Sequence, residues 1–407
     1  MFVRYKTNEK GKSIPVCKIY TSKEHPVRNS MIDRDALWAI RKIQQNGGEA
    51  YIVGGSIRDI LLGNIPKDYD IGTSLSPRQV QKLFWNSRII GRRFRIVHLF
   101  FGSKIIEVTT FRSDEENFED GNNNIYGTIE QDARRRDFSI NALYYNPKTC
   151  ELLDFEDSMA DFEKKRIRSL IPLSYSFSED PVRMIRAVKY KVTTGFRFCL
   201  NVAFAIRRDA PNLQNCATSR LTEEIVKILS SGHSKDIIHE LYRYGLLQYI
   251  LPSYAVHSEL PSMMKSLEEL DGIVMSARKE NKSLPERDVM FYYMTRSAII
   301  VDKSHLIPWS DQMKDAFRQA KVMLSPITPS NVDLEKAVAL VLEFNGLRRK
   351  KKKKAKTEEK AASSLPVNPK VKKRAPRKRR RKKKPSDIPA ESTSTAESLP
   401  EDAVANS

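Results

Sequence analysis

Cysteine and histidine are scarce in this chain. Its 407 residues hold four cysteines (Cys17, Cys150, Cys199 and Cys216) and six histidines. No Cys-x-x-Cys or His-x-x-x-His occurs, which argues against a thiolate or imidazole metal centre. Widely spaced thiols fit reduced cysteines better than a disulfide framework. Long apolar runs are missing too, and none approaches the roughly 20 residues of a membrane helix. The polar stretch from Met1 to Lys12 has no apolar segment of a secretory leader. These absences lead to the expectation of a cytoplasmic protein without membrane contact. Large apolar residues also run out after Gly346, so residues 347–407 cannot offset the entropy of ordering and are expected to be disordered.

Positive charge is abundant but unevenly placed. The formal net charge is +21. Between Arg348 and Lys384 there are 21 Lys and Arg against two Glu, followed by five acids and no base up to Ser407. A basic block of this size predicts a polyanionic partner. The rest of the chain is long enough for two to three domains, and 40% hydrophobic residues supply a core.

Residues 1–30 read as a polar lead-in. Ala36, Leu37, Ile40 and Ile43 recur at helical spacing before a Gly47-Gly48 stop. The run 50–53 reads as a strand entering a loop at Gly54-Gly55. A short helix is expected over 57–62 and part of a second strand over 69–71. Ser76-Pro77 have the character of an N-cap and first helical residue, opening a helix to about Trp85. Runs 94–101 and 105–111 are β-rich and flank a hairpin loop at Gly102-Ser103-Lys104. The stretch 112–126 is acidic and Asn-rich and reads as a mobile loop, with further strands at 142–145 and 152–155. From about Asp161 the periodicity turns helical, clearest at 221–229 and 237–247. The predicted class is α+β: a small mixed β-sheet head followed by an all-helical remainder.

Several motifs carry chemistry. Gly54-Gly55 lie between a strand and a helix, where backbone N–H groups can approach a phosphate and the helix start adds positive potential. Taken alone, such a pair is most often only a turn. Arg58 follows, and ten residues later comes Asp68-Tyr69-Asp70. Residues i and i+2 of a strand share a face, so both carboxylates would point one way. Such a pair repels itself unless cations intervene, and two divalent ions would make it a phosphoryl-transfer site. A bare Asp-x-Asp is more often a solvated turn, whereas its combination with Gly-Gly-x-x-Arg-Asp is far more specific. Asp137, inside Arg134-Arg135-Arg136-Asp137-Phe138, is a third acidic candidate, the alternative being a surface salt-bridge cluster. Glu107 on the run 105–111 is a fourth, either supporting the metal site or simply half-exposed. Asp180 and Arg183, in Glu179-Asp180-Pro181-Val182-Arg183, would lie one helical turn apart if Pro181 opens a helix. An acceptor beside a forked donor can read a base edge. An i, i+3 ion pair with capping is the plainer alternative.

Taken together these segments resemble the class II nucleotidyltransferase family, which holds the tRNA CCA-adding enzymes and the bacterial poly(A) polymerases. The resemblance spans roughly residues 30–255. It rests on YIVGGSIRDILLGNIPKDYDIGT (51–73), IIEVTTFR (105–112), RRRDFSINALYY (134–145), EDPVRMIRAV (179–188) and SRLTEEIVKIL (219–229). It implies that Asp68 and Asp70 bind two Mg²⁺ and that Asp137 joins them as a catalytic acid. It further implies that Gly54, Gly55, Arg58 and Arg136 hold the triphosphate of ATP, while Asp180, Arg183 and Arg186 select and hold the base. Lys189 departs from the arginine common in CCA-adding relatives, keeping the charge without the planar fork. The implied layout is a nucleotidyltransferase head over 31–157, a helical neck with base recognition over 158–218 and an RNA-binding helical body over 219–346.

Within that family, Arg92, Arg93 and Arg95 make the segment before residue 96 more basic than in CCA-adding enzymes. Three arginines beside the sheet would grip phosphates, unless they merely line an exposed edge. The basic tail reads as a sequence-blind RNA grip; a nuclear localisation signal is its rival. The expected function is addition of AMP from ATP to RNA 3′ ends, with RNA-decay proteins as candidate partners. A CCA- or A-adding tRNA enzyme and a non-catalytic RNA-binding protein on the same scaffold are the alternatives.

Overall fold

The computed structural model describes residues 1–348 apart from 8–9, 92–94, 114–125, 257–259, 281 and 305. The expected disordered tail from residue 349, most of the 112–126 loop, and Arg92 and Arg93 lie outside the described residues. The first part of the chain builds a nine-stranded sheet. Its elements are β1 (Phe2–Thr7), β2 (Ser13–Tyr20), α1 (Arg34–Gln45), β3 (Ala50–Val53), α2 (Gly55–Leu61), β4 (Asp70–Thr73), α3 (Pro77–Leu83), β5 (Ser87–Ile90), β6 (Ile96–Phe101), β7 (Lys104–Thr110), α4 (Ile129–Arg134), β8 (Leu143–Asn146) and β9 (Glu151–Asp154). The spatial order is β1-β2-β9-β8-β3-β4-β7-β6-β5. Neighbours are antiparallel except β4 and β7, which run parallel.

The two-residue period of a strand explains how this sheet is covered. β3 is buried along its whole length. Ala50 and Ile52 face a core shared with Ile40 of α1, Ile57 of α2 and Val80 of α3. Tyr51 and Val53 face the opposite side, packing with Phe111, Tyr144 and Ala133 of α4. Helix α3 starts as the sequence predicts: Ser76 and Gln79 form a reciprocal capping box, and Pro77 is its first residue. The β6–β7 hairpin turns on Gly102-Ser103, with Phe101 opposite Lys104.

Three features differ from the sequence reading. Residues 1–30 are not only a polar lead-in, since β1 and β2 add two strands beside β9. Their side chains are largely exposed, so hydrophobic patterning gives little sign of them. Strand β5 and helix α4 are also additions. Asp68 precedes β4, so only Asp70 of the pair lies within the strand.

After β9 the chain becomes helical. α5 (Ser158–Glu163) leads into a two-strand parallel ladder of β10 (Arg166–Ile167) and β11 (Arg197–Phe198). Between these strands run α6 (Leu173–Glu179) and α7 (Val182–Thr194). α8 (Leu200–Asp209), α9 (Thr218–Leu229) and α10 (Ser234–Arg243) follow, and further helices extend to Asn331–Phe344. Val188, Ile225, Ile237, Leu270 and Val338 share one helical core. Phe138 and Ile140 also belong to it, although they precede β8 of the sheet. The segment 137–141 therefore plugs the head into the helices, and its polar residues stand at that junction. No helix among the described residues is long and apolar enough to cross a membrane.

Candidate functional site

The site begins at the break between β3 and α2. Gly54 adopts φ +74°, a backbone conformation that side-chain-bearing residues rarely take. A Cβ on Gly54 would lie 3.3 Å from Arg136 Nη1 and 3.9 Å from Asp70 Oδ2. This glycine, the second aspartate of the pair and Arg136 therefore converge on one point. Gly55 opens α2, and Arg58 lies within its first turn.

The anionic part of the site is crowded. Asp70 is in register with Glu107 on the parallel neighbour β7, so the two side chains share a face. Burial raises the Asp70 carboxyl to about 6; Glu107 and Asp68 add to the rise, against Arg136 and Arg186. Glu107 also lies 3.4 Å from His98 Nε2 on β6. Asp68 is exposed and lines an open cleft of about 590 Å³ together with Lys67, Tyr69 and Lys104. Among the described residues, no group of three or more His, Cys, Asp and Glu is placed to hold a metal ion. The pair Asp68 and Asp70 still suits a hard divalent cation: its donors are carboxylate oxygens, and a cation would offset the burial and the neighbouring carboxylates that raise Asp70.

The cationic part is different, because each arginine already has a carboxylate. Arg136 Nη2 donates to Asp132 Oδ2 at 3.0 Å and its Nε to the Tyr144 hydroxyl at 3.0 Å. That hydroxyl in turn donates to Asp132 Oδ2 at 2.7 Å. Burial alone would raise Asp132, but Arg136 and Tyr144 outweigh it and hold the carboxyl below its usual range. Arg58 donates from Nε and Nη2 to Asp59 Oδ1 at 2.9 and 2.7 Å, and from Nη1 to Asn141 Oδ1 at 2.9 Å. Arg186 on α7 pairs with Asp137 Oδ2 at 2.8 Å.

Asp137 is engaged on both oxygens. Its Oδ1 accepts from the Phe138 N–H at 2.9 Å and from Asn141 Nδ2 at 3.0 Å. Burial opposes its ionisation, yet Arg186 and these donors keep it below the usual carboxylate range. Arg186 thus stands between Asp137, which it grips, and Asp70, whose charged form it favours.

Asp180 and Arg183 do not pair with each other. Asp180 ends α6 instead of starting α7, and its Oδ2 accepts from Arg220 Nη2 of α9 at 2.8 Å. Arg183 reaches back to α6, donating to the Ser176 carbonyl at 3.0 Å and to Glu179 at 2.5 Å. Asp180 Oδ1 is buried without a donor among the described residues. Of the three arginines ahead of β6, Arg95 is half-buried just before that strand.

Sequence reasoning passed over several contributors. Asn141 and Tyr144 sit inside the RRRDFSINALYY motif and Arg220 inside SRLTEEIVKIL, so the motifs held them without assigning them a task. Asp132 lies four residues before Arg136, a helical ion-pair spacing that could have flagged it.

Residues 50–168 match the family model described as the Poly A polymerase head domain. Residues 195–257 match a model described as a probable RNA and SrmB-binding site of polymerase A. Poly(A) polymerase I of Haemophilus influenzae is 39% identical over 237 residues, covering 55% of this chain and 52% of that protein. The CCA-adding enzyme of Geobacillus thermodenitrificans is 34% identical over 230 residues, 56% of each. The chain spans about half the length of the curated relatives it matches. The solved structure of the Thermotoga maritima CCA-adding enzyme complexed with tRNA has the same fold, with a TM-score of 0.52 at 19% identity over 86% of this chain and 92% of that one.

Proposed function

We propose, from the match of residues 50–168 to the poly(A) polymerase head domain model, that the protein adds AMP from ATP to RNA 3′ ends without a template. The observation that carries this reading is the meeting of Gly54, Asp70 and Arg136 at the β3–α2 break. Carboxylates short of counter-charge stand there beside fixed guanidinium groups.

Asp68 and Asp70 would hold two Mg²⁺ ions, whose chemistry is to acidify the RNA 3′-hydroxyl and neutralise charge on departing pyrophosphate. The 3′-oxygen forms its bond to the α-phosphorus as the α–β bridge breaks in line. Arg58 and Arg136, with the Gly54-Gly55 backbone, fix the triphosphate. Asp137 was expected among the catalytic acids; with both oxygens engaged by protein donors, it is better suited to holding Arg186 in place. The buried, unsatisfied Oδ1 of Asp180 suits the amino group of adenine; Arg183 would have to leave Glu179 to act with it.

RNA is the proposed polymer partner, gripped by the helical body and by Arg92, Arg93, Arg95 and the Arg348 to Lys384 block. The match of 195–257 supports RNA binding and a protein-docking surface on that region, for which RNA-decay proteins are the proposed partners. The proposed setting is the cytoplasm. A CCA- or A-adding tRNA enzyme would use the same head and is the second reading, favoured by the 34% identity to the Geobacillus enzyme. A non-catalytic RNA-binding role leaves the Asp68–Asp70 pair without a task.

Replacing Asp68 tests the reading. Asp68→Ala should abolish Mg²⁺-dependent AMP incorporation while leaving RNA binding in gel-shift titrations largely intact. Near-normal incorporation by that variant would contradict the metal assignment.

A further inference from the structure

Two arginines of the nucleotide site, Arg58 expected at the triphosphate and Arg186 expected at the base, come from different parts of the fold. Arg58 is on α2 of the head and Arg186 on α7 of the helical part. They are joined on one side by a chain of hydrogen bonds: Arg58 to Asn141, Asn141 to Asp137, and Arg186 to Asp137. On the other side stands Tyr190, one turn beyond Arg186 on α7. Its hydroxyl accepts from Arg186 Nη2 at 3.0 Å. Its ring lies 4.9 Å from Arg58 Cζ and 5.7 Å from Arg186 Cζ. The circuit closes on itself through this one ring.

The ring is itself fixed. Tyr190 is 8% exposed, and Phe138 meets it edge-on at 6.0 Å. Phe138 directly follows Asp137, so the same short segment sets both sides of the circuit. A cation against an aromatic face is attracted to it, more strongly when water is excluded. The hydroxyl supplies something else, a neutral acceptor for Arg186. Such an acceptor orients the guanidinium without adding a second negative charge to that of Asp137.

Resting on the nucleotidyl-transfer reading above, we propose that Tyr190 is a positioning residue that holds Arg58 and Arg186 in register for one triphosphate, so that Arg186 serves the phosphates instead of the base expected for it. Its ring orders Arg58 and its hydroxyl orders Arg186. It touches neither reacting atom, so its loss acts on polyphosphate binding more than on the chemical step.

Three proteins test this: the unaltered chain, Tyr190→Phe and Tyr190→Leu. Each is measured for steady-state AMP incorporation and for calorimetric binding of tripolyphosphate in Mg²⁺. Tyr190→Phe keeps the ring and should raise the KM for ATP about tenfold, the loss of one hydrogen bond to a charged group, with kcat within about twofold. Tripolyphosphate binding should weaken by the same factor. Tyr190→Leu should weaken both further, because Arg58 then loses its platform. Unchanged tripolyphosphate affinity in Tyr190→Phe overturns the proposal, as does a fall in kcat with KM unchanged. If Tyr190→Leu fails to fold, the near-isosteric phenylalanine variant still decides. If the unaltered chain incorporates no AMP, the transfer reading fails, while the tripolyphosphate comparison still tests the role of Tyr190.

Discussion

Asp70 and Asp132 both feel the charge of Arg136, yet their acidities move in opposite directions. Asp132 is hydrogen-bonded to Arg136 and to the Tyr144 hydroxyl, and it is held below its usual range. Asp70 is pushed up to about 6 by burial first, with Glu107 and Asp68 adding to the rise and no hydrogen bond from Arg136 to offset it. One carboxylate belongs to a closed set of partners. The other belongs to a site whose anions outnumber the cations near them. The contrast teaches which half is structural and which awaits a ligand. On the proposed reading, paired groups fix the arginines for a phosphate, and the unbalanced pair is where a bound cation would gain most.

Removing partners should therefore affect the two halves in opposite ways. The largest effect is expected for Asp132→Ala, which leaves Arg136 buried without its carboxylate. Stability should fall by about 3–5 kcal/mol in urea unfolding, the usual cost of breaking a buried pair. An effect below about 1 kcal/mol, the range of surface pairs, would erase the contrast.

Asp70→Asn should do the reverse, abolishing incorporation while stabilising the fold. The gain should be on the order of 1–2 kcal/mol at pH 7.5 without divalent cation. Its sign follows from linkage. A carboxyl raised from 3.8 to about 6 in the folded state penalises the ionised form, so the penalty acts above pH 6. The unaltered chain should thus gain stability from this group as pH falls from about 6 towards 4, and the asparagine variant should lack that gain. A destabilised asparagine variant would mean that Asp70 is paired after all.

Glu224 extends the comparison to the helices. Its carboxyl lies 2.8 Å from Lys189 Nζ and 2.7 Å from Lys227 Nζ. Burial opposes ionisation, but the two lysines bring it from 4.5 down to about 2. Stabilisation from this group is complete above pH 4.5 and disappears as pH falls towards 2. Glu224→Gln should flatten the acid limb of the stability profile in that window. An unchanged limb would place Glu224 outside the closed, paired class. The smallest effect on chemistry is expected from deleting Arg348 onward. RNA affinity should weaken and its salt dependence flatten, with kcat preserved. An unchanged salt slope would mean the basic block does not touch RNA.

The sequence already displayed the parts of the site that are close along the chain. Gly54-Gly55, Arg58 and the aspartate pair fall within 17 residues, and the short strand 50–53 was visible from its apolar run. Contacts across long separations were hidden. Arg58 meets Asn141 across 83 positions, Asp137 meets Arg186 across 49, and Asp180 meets Arg220 across 40. Local spacing suggested that Asp180 would act with Arg183, but the end of α6 turned it towards α9. Strands β1 and β2 escaped notice because β1 is exposed at every residue but Val3, and β2 is exposed over Ser13–Pro15 and fully buries only Cys17. The interior of 112–126 and the tail from residue 349 lie outside the described residues, so their expected mobility stands as a reading of composition.

The account turns on what is added and to which RNA. Purified protein should be given each nucleotide separately in Mg²⁺, with an unstructured RNA and with a tRNA lacking its 3′ end. Long extension of the unstructured RNA with ATP alone is the predicted result. Incorporation of CTP confined to the tRNA would contradict it.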